Sequence, residues 1–80
     1  MMAQRTAIAE RAEMLYQTLL ALGVGWHGRA EIAAQLGKRQ LSSYDGAALE
    51  VLIQEGRVEA ERHEIDSPIP VRWEYRIIEK

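Results

Sequence analysis

Two histidines, His27 and His63, are the only side chains that titrate near neutral pH, and there is no cysteine. His27 stands four residues before Glu31, a spacing that lets the two touch across a helix start. His63 lies between Glu61 and Asp66. Neither set carries a third ligand at the spacing a zinc site needs, and the missing thiols remove Cys-based metal and disulfide chemistry. No glycine-rich phosphate loop and no nucleophile–base pair stands out. The residues therefore predict no catalytic centre, metal or cofactor: a protein that is not an enzyme, with both histidines on exposed strand or loop.

The remaining chemistry is that of charge. Ten Lys and Arg against twelve Asp and Glu leave a net charge of −2, so the chain as a whole lacks the positive excess of most nucleic-acid binders. Any phosphate-binding surface must then be local. Arg29, the turn cations Lys38 and Arg39, the hydroxyls of Ser42 and Ser43, and Arg72 are the candidates. Arg62 and Arg76 are expected to pack on aromatic rings or pair with glutamates.

The elements that position these groups follow from hydrophobic spacing. Eighty residues make one domain, 1–80, with residues 1–5 expected to fray. No apolar run reaches the roughly 18 residues a membrane span needs, and the charged N-terminus does not read as a signal peptide, so a cytoplasmic protein is expected. Ile8, Ala12, Leu15, Leu19 and Leu22 draw one stripe along a first helix, with Thr6 as N-cap and Gly23 past its end. Tyr16 edges that stripe and Leu20 lies off it. Residues 24–28 read as a short edge strand with Trp26 turned into the core. Gly28 caps a second helix over 29–36, Glu31 reaching back as in a capping box. Its inner face is Ile32, Ala33 and Leu36, and Gly37 ends it.

Ser42 or Ser43 caps a third helix over 43–55, with Asp45 a favourable charge in its first turn. Leu49, Leu52 and Ile53 are expected to face inward, with Ala48 at their flank. Gly46 costs roughly 1 kcal/mol against Ala there, and implies a close backbone neighbour or a later helix start. Gly56 closes the helix. Two strands follow, 58–65 and 71–78, joined by a turn at 66–70, where two prolines forbid pairing. Setting Val58 against Ile77, Ala60 against Tyr75 and Arg62 against Trp73 buries four apolar side chains at about 1.5–3 kcal/mol each. A shift by one residue offers only exposed ion pairs of about 0.2–1 kcal/mol. The first register should win, though it leaves Glu61 opposite Glu74.

Helix, short strand, helix, turn, helix and hairpin, with RAEIAAQLG leading to ALEVLIQEGRV, resemble the winged helix-turn-helix superfamily from about residue 6 to 78. The most telling piece is Leu49, Leu52, Gly56 and Val58, where a helix ends on glycine and the next valine opens the wing. The resemblance implies an α+β fold, a three-helix winged helix-turn-helix with a C-terminal β-hairpin wing. It also implies double-stranded DNA as partner, in the manner of a small transcriptional regulator. The third helix would enter the major groove and the wing would touch the backbone. Its outward face would be Ser43, Tyr44, Ala47, Glu50, Val51 and Gln54, of which Ser43, Tyr44 and Gln54 can donate to bases or phosphates. The expected DNA-facing set is Arg29, Lys38, Arg39, Ser42, Ser43, Tyr44, Gln54 and Arg72. A second reading is a protein-interaction module, homodimeric or with another partner, using the Tyr44, Ala47 and Val51 face.

Overall fold

The computed structural model describes the backbone at residues 2–64 and 71–78, and side chains at 7–62 and 72–78. Helix α1 spans Met2–Leu22, strand β1 His27–Gly28, helix α2 Arg29–Gln35, helix α3 Ser43–Gln54, and strands β2 and β3 Val58–Glu64 and Val71–Ile77. The fold is α+β. Three helices pack with a three-stranded antiparallel sheet of order β1-β3-β2. The turn expected at 66–70 lies outside the described residues.

Helix α1 begins at Met2, so Thr6 is an interior residue and not the N-cap. The Met-Ala-Gln-Arg run at 2–5 consists of good helix formers, in keeping with a helix that starts at Met2. Its end agrees with the spacing. Gly23 takes a φ of 96° and its N–H bonds back to the carbonyls of Leu19 and Leu20.

The two shorter helices stop by one device. After α2, the N–H of Gly37 reaches the carbonyl of Ala34 and that of Lys38 reaches Ala33. After α3, Gly56 reaches Ile53 and Arg57 reaches Leu52. Both are paired helix-closing bonds around a left-handed glycine, φ 79° and 73°. Such closures fix the direction of the chain as it leaves each helix. Lys38 is thereby pinned by its own backbone.

Ala12, Leu15 and Leu19 of α1 meet Ile32 of α2, Ala48, Leu49 and Leu52 of α3, Val58 of β2 and Tyr75 of β3 in one buried cluster. The inner stripe of α3 runs Asp45, Ala48, Leu49, Leu52, turned from the expected Leu49, Leu52, Ile53. Ala48 is therefore fully buried, and both Ile53 and the outward-assigned Val51 are half-buried against the core. Asp45 occupies the first place in an otherwise apolar stripe.

The β2–β3 register is the expected one throughout, from Val58 opposite Ile77 to Arg62 opposite Trp73, with Glu61 opposite Glu74. Burial does not extend as far as pairing. Val58 and Tyr75 are buried and Ala60 is half-buried, but Trp73 is 49% exposed. Among the described residues, burial falls off along β3 from Tyr75 to Trp73, although the two lie on the same face.

Around β1 the expected order is reversed. His27, not Trp26, takes the buried place. Trp26 is half-buried with the Arg76 guanidinium 4.6 Å from its ring centre, and Arg76 also pairs with Glu59 at 2.7 Å. Leu20 and Val24 are exposed beside this region. Among the described residues, no helix is long and apolar enough to cross a membrane.

Candidate functional site

The chemistry expected of the turn and the third helix converges on the first turn of α3. Ser42 is its N-cap. Its hydroxyl oxygen accepts from the Asp45 N–H at 3.1 Å, and the Asp45 carboxylate accepts from the Ser42 N–H at 2.9 Å. This reciprocal box satisfies two backbone donors that a helix start leaves over. The same carboxylate oxygen, Oδ2, accepts from Lys38 Nζ at 2.7 Å. Its other oxygen, Oδ1, makes no hydrogen bond and faces Arg11 Nη1 of α1 at 3.3 Å.

Asp45 is fully buried. Burial pushes its carboxyl pKa up, but the Lys38 and Ser42 hydrogen bonds and the Lys38 charge outweigh it and hold it below the ordinary value. It is a carboxylate, then, under two cations that are themselves partly open to solvent, with side-chain exposures of 35% for Lys38 and 29% for Arg11.

Arg29 stands on the other side of the same turn. Its Nη1 donates to the Tyr75 hydroxyl at 3.0 Å. Its Nη2 would lie 3.5 Å from a Cβ on Gly46, so a guanidinium, not a backbone, is what Gly46 faces. The helix does not start later than Ser43 either. Arg72 lies with its Nε 3.6 Å from where a Cβ of Gly28 would stand, next in sequence to Arg29.

Of the expected set, the structure thus gathers Arg29, Lys38, Ser42, Ser43 and Tyr44 at the start of α3. Arg72 lies alongside, and Arg39 is exposed in the adjoining turn. Gln54 is exposed but belongs to the far end of α3, about 16 Å along the axis at 1.5 Å per residue. Two participants were not foreseen. Asp45 was legible as a first-turn charge but not as the buried anchor of two cations. Arg11 carried no signal, since nothing in a single sequence says which turn of α1 meets the start of α3. Its guanidinium also lies 5.5 Å from the Tyr44 ring centre.

The histidine pairing lies elsewhere. His27 Nδ1 is 2.8 Å from Glu31 Oε2, and Nε2 is 2.9 Å from the carbonyl oxygen of Gly23. The contact with Glu31 was expected; the burial was not. Both ring nitrogens find partners, which is what allows an imidazole to replace Trp26 inside. Glu31 is consequently not a capping-box residue, and Gly28 starts α2 without a side-chain cap. Burial alone lowers the His27 pKa, but the Gly23 carbonyl and Glu31, with Glu74 nearby, raise it above the ordinary value. Among the described residues, no group of three His, Cys, Asp or Glu is placed to hold a metal ion. The side chains of His63 and Asp66 lie outside the described residues.

The arrangement can present several N–H and O–H donors on one face. It offers no base–nucleophile pair. Comparison with protein-family models, curated proteins and solved structures finds no match to this chain.

Proposed function

We propose that this chain is a winged helix-turn-helix DNA-binding protein, a small cytoplasmic transcriptional regulator without enzymatic activity, whose helix α3 and preceding turn face duplex DNA. The observation that carries the reading is the gathering of Arg29, Lys38, Ser42, Ser43 and Tyr44 about the start of α3, with Arg39 and Arg72 beside them. Guanidinium, ammonium and hydroxyl donors together are what phosphate oxygens accept from. In this reading β2 and β3 form the wing, and Gln54 approaches a base or phosphate at the other end of α3.

The test is duplex binding across a salt series. Removing two cations by Lys38→Gln with Arg39→Gln should weaken binding about tenfold or more at moderate salt, and should reduce the slope of log K against log salt by about 1.8. Absence of wild-type binding at low salt, or an unchanged slope in the double variant, removes the reading.

One observation favours a second use of the same face. Tyr44 and Met14 are 38% and 41% exposed and line one shallow groove with Ala7, Glu10 and Arg11. Ala47 and Glu50 are exposed further along α3, and Val51 is half-buried. A protein partner, or a second copy in a homodimer, would cover that apolar strip. Sedimentation showing a dimer that Tyr44→Glu dissolves would support it over DNA.

A further inference from the structure

We infer that Arg11, on α1, is a further phosphate-gripping residue of the α3 face. The inference rests on the DNA reading and extends it to a helix that the sequence did not implicate. Among the described residues, three arginines have their guanidinium against an aromatic ring: Arg11 on Tyr44, Arg57 on Tyr16 and Arg76 on Trp26. Their electrostatic company differs. Arg57 pairs with Glu13 at 3.1 Å and Glu55 at 3.8 Å, two anions against one cation. Arg76 pairs with Glu59. Arg11 shares one carboxylate with Lys38, two cations on one buried anion, with the exposed Glu10 as the further acidic group of the groove.

Geometry supports the same assignment. A guanidinium has five N–H donors in a rigid fork, and the contact of Arg11 with Asp45 runs through Nη1 at 3.3 Å. That contact is an ion pair and not a hydrogen bond, and Asp45 Oδ1 makes no hydrogen bond of its own. The Tyr44 ring limits its swing, and 29% of the side chain stays open to solvent. Glu10, exposed on the rim of the same groove, is the nearby anion that a phosphate must avoid.

The experiment measures binding to a mixed-sequence DNA duplex by fluorescence anisotropy over a salt series, with thermal midpoints alongside. It compares wild type, Arg11→Gln, Arg11→Lys and Arg57→Gln. Arg11→Gln should weaken binding roughly three- to tenfold and lower the salt slope by about 0.9, one phosphate contact. Arg11→Lys should keep the slope, and Arg57→Gln should leave it unchanged. A wild-type slope in Arg11→Gln overturns the inference and leaves the Lys38–Arg39 reading standing, whatever happens to the thermal midpoint. An equal loss of slope in Arg57→Gln also overturns it, because the effect would then be one of overall charge. Failure of the wild type to bind at low salt overturns both.

Discussion

Asp45 joins the stability of the chain to its cationic face. It caps α3, fills the first place of the buried stripe and holds Lys38 and Arg11. Asp45→Ala removes the capping box and leaves two cations without their anion, and should cost about 1–3 kcal/mol in urea unfolding. Asp45→Asn keeps an acceptor for the cap and should cost less. The charge also sets an acid limit. The folded pKa is depressed, so the stabilisation is complete above the ordinary carboxylate value and is lost as pH falls through the folded one. Unfolding free energy measured from pH 6 downward should therefore fall, and that part of the fall should be missing in Asp45→Asn.

At the scale of elements, the junction of α1, β1 and α2 depends on His27. A carbonyl only accepts, so Nε2 carries a proton toward Gly23, and only the imidazolium also donates from Nδ1 to Glu31. The folded pKa is raised. Its stabilisation is therefore fully present below the unfolded value, near 6.5, and is lost as pH rises through the folded value. Hydrogen exchange at the backbone of residues 27–31 should speed up over that interval more than elsewhere. His27→Gln should flatten this dependence, and protection factors at residues 27–31 that do not change with pH in the wild type would contradict it. The element ends need no such tuning: Gly37 and Gly56 close their helices with backbone bonds alone.

At the scale of the whole molecule, one small core supports everything. For 80 residues, a total stability of about 4–12 kcal/mol is ordinary. Leu52 is fully buried at the centre of that core. Leu52→Ala should cost about 2–5 kcal/mol, a large share of the total, lowering the urea midpoint with little change in slope. Leu20→Ala, at an exposed position, should stay within about 0.5 kcal/mol. The net charge of −2 hides a division over the surface. Cations gather near the start of α3, while around Arg57 glutamates outnumber them.

Local spacing carried a good deal of this. Glycines at 23, 37 and 56 ended helices because left-handed backbone is open to them, and Leu15, Leu19, Ile32, Leu49 and Leu52 were legible as core from helical period. The register of β2 on β3 followed from alternation, since a slip of one residue exchanges the two faces. The exchange of His27 for Trp26, the exposure of Trp73 and the grip of Arg11 on Asp45 were decided by tertiary structure. Each depends on which part of one element another covers, and on whether a polar group finds its partners across that contact. Periodicity along a chain records which side of an element is apolar; it does not record how far along that side the neighbouring element reaches.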